Sequence, residues 1–232
     1  MRKSKVVAPV LLAAVVAGAG CVKDPTEGKT AAKVAEPQQV EKAPEGAEAA
    51  DVAKKTERLT VDRSRSKVGF VGAKVTAQHV GVFQEFTGSI ALVDGKLEGG
   101  NVEFEVQTAS VVADDGNPRL EGHLRSPDFF EVEKFPTAKF VSTSITAGSD
   151  AEGMTHTVTG NLTIRGTTKS VTFPAKVEVT PSEVRASTEF GINRNDFGIV
   201  YPGKADDLIK DNVLIQVDFV APRAAATAQD AG

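Results

Sequence analysis

Few residues in this chain could carry covalent or metal chemistry, and they are scattered. The histidines are His79, His123 and His156. A metal site would need at least two of them to converge with a carboxylate, and their separation supplies no ligand spacing. His79, before Val80-Gly81, reads as a turn residue, and His156 as an exposed position in a Thr-rich strand. The single cysteine, Cys21, stands near the start of the chain, and no Gly-x-Ser-x-Gly nucleophile elbow is present. Glu103 and Glu105 are two residues apart, the spacing of one solvated strand face rather than of an acid–base pair. Gly99-Gly100 reads as a hairpin turn and not as a phosphate cradle. The expectation is a binding protein without catalytic residues, metal or cofactor.

What the chain does concentrate is apolar surface beside a few polar groups. In His123-Leu-Arg-Ser-Pro-Asp-Phe-Phe-Glu-Val-Glu-Lys-Phe-Pro136, Phe129, Phe130, Val132 and Phe135 fall within seven residues. Ser126-Pro127-Asp128 has the form of a helix start: a capping hydroxyl, proline at the first helical position and an acid in the first turn. A short apolar helix inserted among strands must bury that surface against the sheet, or cover the mouth of something the sheet encloses. As a plain connector, its phenylalanines would simply complete the core. A second polar segment, Gly191-Ile-Asn-Arg-Asn-Asp-Phe-Gly198, follows a strand and could close one end of a barrel or aim donors at a headgroup.

The elements that would position these groups are strands. Period-two alternation recurs at Val68-Phe70-Gly72, Ile90-Leu92, Val102-Phe104-Val106, Ala138-Phe140-Ser142-Ser144, Val158-Gly160-Leu162-Ile164, Val171-Phe173-Ala175-Val177-Val179, Val184-Ala186-Thr188-Phe190 and Val213-Ile215-Val217-Phe219. Asp94-Gly95 is a hairpin dipeptide, and Pro174 marks an edge or bulge. About eight strands joined by short turns predict an all-β fold, an antiparallel sheet closed into a barrel. Such a barrel is either filled by side chains or hollow enough for one small ligand. Small inward residues (Gly72, Ala138, Ser142, Gly160, Ala186, Thr188) tilt the reading toward hollow. With twelve Phe, one Tyr and no Trp, the aromatic surface lacks polar handles and suits an apolar ligand. A net charge of −4 argues against nucleic acid.

The ends of the chain read differently. Arg2, Lys3 and Lys5, the apolar run Val6 to Val16 and the small residues Ala17 to Gly20 make residues 1–20 a signal peptide, too short for a permanent span. Cys21 directly after it resembles a lipidation site, although Gly18 stands where a larger apolar residue is usual. Residues 21–57 then read as a lipidated cysteine and a disordered tether spanning several tens of Å, with Ala47 to Lys55 able to form transient helix. The barrel domain is placed at residues 58–221 and a disordered tail at 222–232. The chain is expected to be secreted across the inner membrane and held on a periplasmic face by a lipid anchor at Cys21, with the outer membrane mildly preferred because Val22 is not aspartate.

Several segments together carry a family resemblance: His123-Leu-Arg-Ser-Pro-Asp-Phe-Phe130, Lys134-Phe-Pro-Thr-Ala-Lys-Phe140, Val158-Thr-Gly-Asn-Leu-Thr-Ile-Arg-Gly-Thr-Thr-Lys169, Asn193-Arg-Asn-Asp-Phe-Gly198, and earlier Val68-Gly-Phe70, His79-Val-Gly81 and Phe86-Thr-Gly-Ser-Ile90. In order and over residues 58–221, these resemble the YceI-like family of secreted bacterial proteins. The resemblance implies an extended, about eight-stranded lipocalin-like barrel with a helical insert, holding a polyisoprenoid or another long-chain amphiphile. It implies lumen or cap roles for Phe70, Phe104, Phe129, Phe130, Phe135, Phe140, Leu162 and Phe173. His123, Arg125, Arg194 and Asp196 become candidates for headgroup or rim contacts, with pinning of the insert to the barrel as their structural alternative. Asp114-Asp-Gly-Asn-Pro-Arg-Leu-Glu121 departs from the family's usual stretch before His-Leu-Arg. The partners implied are a long-chain lipid and the membrane through Cys21, with a homodimer as an option. The alternative is a solid-core envelope module that holds no small molecule.

Overall fold

The period-two segments form the wall of a barrel. The computed structural model describes residues 22–39, 55–148 and 153–223. In chain order its strands are β1 (Lys33–Ala35), β2 (Thr56–Thr60), β3 (Lys67–Ala73), β4 (Gln78–Phe83), β5 (Phe86–Val93), β6 (Lys96–Gln107), β7 (Val111–Ala113), β8 (Thr137–Ala147), β9 (His156–Ile164), β10 (Thr167–Val179), β11 (Glu183–Asn193), β12 (Gly203–Lys204), β13 (Asp207–Leu208) and β14 (Asn212–Pro222). The single α-helix among the described residues is α1 (Pro118–Arg125). The signal peptide, Cys21, nearly all of the Ala47–Lys55 segment and residues 224–232 lie outside the described residues.

The main sheet runs β2-β5-β6-β8-β9-β10-β11-β14-β3-β4-β7, antiparallel throughout. β4 bends into β5 at Gln84-Glu85, and β6 bends into β7 at residues 108–110. Counting each bent pair as one stave and setting the short β2 aside gives eight, and the β3–β4 and β5–β6 ladders bring the ring back on itself. Closure leaves few unpaired edges. β2 fills the one gap at the far end: Val61 N–H donates to Gly88 O (2.9 Å) and Asp62 N–H to Val220 O (2.8 Å).

Asp94 and Gly95 have φ of 51° and 76°, and Val93 pairs with Lys96, the two-residue hairpin in which both turn residues must be left-handed. Two expected turns and phases differ. Gly99-Gly100 is not a hairpin turn; it lies inside β6 opposite a register shift, where a Cβ on Gly100 would meet Ala91 O at 1.9 Å. In β8 the alternation breaks at a bulge between Ser142 and Ser144. Beyond the bulge Ser144 faces solvent and Ile145 is buried, because one extra residue reverses the facing of all that follow.

The helix lies earlier than expected. Asn117 caps it by accepting from Leu120 N–H, Pro118 opens it and Glu121 lies in its first turn. Ser126 ends it rather than starting it: its N–H bonds His123 O, and its hydroxyl donates to His123 O and accepts from Asp128 N–H. Proline suits the position just past a helix end as well as the first helical position, so Ser126-Pro127-Asp128 fits either reading. Phe129 and Phe130 therefore sit in the turn after α1. Phe130 packs with Phe70 and Phe83, while Leu124 packs with Val111 and Ala113 of β7.

Residues 22–39 are not a free tether. β10 pairs with β11 only along Lys176–Val179, which leaves a seam between the Ser170–Thr172 stretch of β10 and the end of β11. β1 fills it: Lys33–Ala35 pair antiparallel with Ser170–Thr172, and Ala31 bridges Gly191 in parallel. Exposed strand edges demand partners, and small side chains fit the seam. Ala32 and Val34 pack on the core, and Gly191 leaves room for Thr26, whose Cγ2 would lie 2.9 Å from a Cβ there.

Candidate functional site

Inward residues of the eight staves enclose a cavity of about 750 Å3. Its wall contains a nearly continuous series of rings. Phe190 stacks on Phe173 (centroids 4.0 Å, planes 7° apart), Phe173 meets Phe140 (5.6 Å), Phe140 stacks on Phe104 (5.5 Å), and Phe104 meets Phe219 edge-on (5.4 Å). Glycines make room for this series: a Cβ on Gly160 would lie 2.4 Å from the Phe140 ring, and one on Gly81 2.3 Å from the Phe70 ring. Nearer one end, Phe70, Phe83 and Phe130 form a triangle with centroids 5.6–5.9 Å apart.

At that end the lining turns polar. The β3–β4 loop contributes Lys74, β4 gives His79, α1 gives Arg119 and His123, and the 199–211 loop gives Tyr201 and Lys204. Lys74 pairs with Asp207, whose carboxyl is held below the ordinary aspartate value chiefly by the Lys74 hydrogen bond. His79 faces Asp114, and His123 Nε2 faces Asp128 at 2.9 Å. The rings of His123, Phe129 and Tyr201 meet at 4.9–5.8 Å and form one lip. The opposite end, lined by Leu97 and Val177, is apolar. His156 lies apart from the other two histidines, at the far end, and faces Glu98 at 3.7 Å.

Of the residues expected in the lumen or cap, Phe70, Phe104, Phe129, Phe130, Phe140, Leu162 and Phe173 line the cavity, and Phe135 does not. Its ring lies on the turn after β9, where a Cβ on Gly166 would be 2.7 Å away. Among the rim candidates, His123 and Arg194 border the cavity, whereas Arg125 and Asp196 do not. Arg125 pins α1 to the wall, donating to Ala109 O (2.9 Å) and Val111 O (2.6 Å) and pairing with Glu121. Asp196 is exposed. Arg194 is buried and donates to Ile199 O (2.6 Å), Lys210 O (3.1 Å) and Asp211 (3.0 Å). Burial lowers its guanidinium pKa and Asp211 opposes that; it is the post that holds the 199–211 loop across the mouth. Arg165 ties the insert to the same region, reaching Glu131 and Gly198 O. Sequence reasoning missed Phe83, Phe190, Phe219 and Tyr201 as lining residues. The inward phase of β11 and β14 contained the signal for Phe190 and Phe219.

An antiparallel barrel with a greasy hollow and one polar mouth has the build of a lipocalin-like binding protein. Residues 59–221 match the YceI-like domain, and the chain belongs to that family. A UPF0312 protein of Pseudomonas putida is 32% identical over 142 residues, 59% of this chain and 71% of the relative. One from Shewanella denitrificans is 41% identical over 96 residues, 41% and 48% of the two chains. Among solved structures, Burkholderia cenocepacia BcnA superposes with a TM-score of 0.60 at 27% identity, covering 69% of this chain and 99% of that one. A polyisoprenoid binding domain from Saccharophagus degradans shares the fold with a TM-score of 0.55 at 15% identity, covering 71% and 98%.

Proposed function

We propose that this protein binds a long-chain lipid inside the barrel, tail in the Phe-lined hollow and headgroup at the mouth, while Cys21 anchors it to an envelope membrane. The cavity carries the reading. At roughly 30 Å3 per water-sized group, 750 Å3 accommodates about 25 such groups, the size of an extended prenyl or acyl chain. Burying on the order of 500 Å2 of hydrocarbon gains roughly 12 kcal/mol gross, and ordering the chain and losing rigid-body freedom offset several kcal/mol of that. The remainder sustains useful affinity without a strong polar contact, so the mouth would set orientation and choice of headgroup. A domain of the same fold is named for binding polyisoprenoids, which makes isoprenoid chains the first class to test.

Storage, shielding or transport of such a lipid across an aqueous compartment follows from this design, and none of these requires a reaction. The anchored protein would face the periplasm, with the outer membrane mildly preferred. Native mass spectrometry of gently purified protein should show a mass increment that organic extraction removes. Protein that is empty on isolation and takes up no prenyl or acyl lipid when offered one would refute the proposal.

A further inference from the structure

The mouth carries a second feature that lumen binding does not use. Five large apolar side chains are exposed among the described residues, and four of them surround the mouth: Val200 (65% exposed), Leu208 (49%), Val80 (46%) and Val75 (41%). They belong to neighbouring segments: Val75 N–H donates to Leu208 O, Val80 of β4 is tied to Asp114, and Val200 adjoins Tyr201 on the lip. Val179, the fifth, is at the far end of β10. Isolated exposed valines need no explanation, whereas a ring of them around one opening marks a contact surface.

The chain's own path says what that surface meets. Val22 N–H donates to Val75 O (3.3 Å), and Gln78 holds Lys23 O. The described chain thus enters at the rim and then runs along the barrel to fill the β10–β11 seam. Cys21 precedes Val22 directly, so a hydrocarbon anchor on it would leave the barrel beside its mouth. Several polar groups of the rim are paired (Lys74 with Asp207, His79 with Asp114, His123 with Asp128), which lowers the cost of bringing it to a lipid surface.

We propose that the mouth rim is a membrane-docking surface: the barrel lies mouth-down on the bilayer that holds its anchor, and Val75, Val80, Val200 and Leu208 enter the interfacial zone. Lipid then passes between bilayer and lumen without crossing water. On a bilayer without net charge, apolar contact rather than charge holds the rim, so docking there is insensitive to salt. The inference rests on the anchoring part of the proposed function and not on the identity of the lumen ligand.

The test uses the full chain with Val200→Cys, Leu208→Cys or Val179→Cys, each labelled with an environment-sensitive fluorophore. The proteins are reconstituted on phosphatidylcholine vesicles containing a spin-labelled lipid quencher, with the parent chain as background for Cys21. All three positions are exposed, so the fold is undisturbed. Labels at 200 and 208 should be quenched several-fold more than the label at 179, equally at low and high salt. Equal quenching at all three positions would overturn docking while leaving anchoring intact. Failure of the chain to stay on vesicles would remove both. Rim labels quenched by acceptor-labelled copies of the chain, and not by lipid, would reassign the surface to a dimer contact.

Discussion

Filling the hollow separates a lipid carrier from a solid barrel, and Ala186→Phe does so at a defined place. Ala186 lies on β11 opposite Val177 and Phe219 and lines the cavity toward its closed end. The added six-carbon ring, its bonded atoms closer together than separate water-sized groups of roughly 30 Å3, takes about 100 Å3, a small part of the 750 Å3 available. A tail that filled the lumen must withdraw about three to four methylene-sized groups, roughly 30 Å3 each. At about 0.8 kcal/mol each, the loss is about 3 kcal/mol, or about two powers of ten in Kd. Stability should move the other way or not at all, because the ring enters space that is already empty.

In a packed barrel the same ring would be forced into occupied space and would cost about 1–3 kcal/mol of stability, with no binding to lose. The assay is therefore paired. Displacement of a fluorescent fatty-acyl or prenyl probe reports Kd, and urea unfolding reports stability on the same preparations. Weakened binding with unchanged unfolding supports the hollow. A lowered unfolding midpoint with undiminished probe binding refutes the reasoning, because it places the ligand elsewhere and the ring in filled space. Shorter probes should recover most of the lost affinity, since they never reach Ala186.

Other perturbations address the parts that support the lumen. Gly160→Ala puts a methyl 2.4 Å from the Phe140 ring and 2.6 Å from Val141 O, and overpacking of this kind should cost about 1–3 kcal/mol in urea unfolding. Arg194→Met leaves the carbonyls of Ile199 and Lys210 without their donor, which should cost about 1–3 kcal/mol and expose the 199–211 loop to limited proteolysis. Glu57 is held below the ordinary glutamate value chiefly by the Arg223 hydrogen bond. Its contribution is complete above about pH 4.5 and disappears as pH falls through the lowered value, so Glu57→Gln should flatten the acid side of the stability–pH profile, measured by thermal unfolding. Val34→Asp places a charge in the half-buried seam between β10 and β11. It should speed exchange of a bound probe more than Glu103→Ala does, and equal rates would mean that β1 is not part of the wall.

The wall was legible and the mouth was not, for one physical reason. A strand's facing is written locally: Val102, Phe104 and Val106 alternate with Glu103 and Glu105, and the phase alone puts Phe104 beside Phe140 in the lumen. Where a bulge intervenes, as at Ser142–Ser144, the phase misleads only beyond it. β1 has no such signature, since three residues cannot show a period and its partner is an unpaired edge more than a hundred residues away. The stretch around it, of Ala, Lys, Glu, Pro and Gln, has the composition of a linker, and only the shortfall of β11 against β10 gives it a place. The mouth is harder still. Lys74, His79, Arg119, His123, Tyr201 and Lys204 come from two loops, one strand and one helix, and no spacing links them. Arg194 and Arg125 showed as polar residues near the right elements, but whether a guanidinium faces a ligand or backbone carbonyls depends on where the orphan carbonyls fall. Here they fall at bends, at Ala109–Val111 and Ile199–Lys210, and satisfying them takes both arginines out of reach of a free headgroup role. Under the proposed function, headgroup recognition would fall first to Arg119, Tyr201 and Lys204, because Lys74, His79 and His123 already face Asp207, Asp114 and Asp128, and all of these lie at the end of the barrel where Val22 meets Val75.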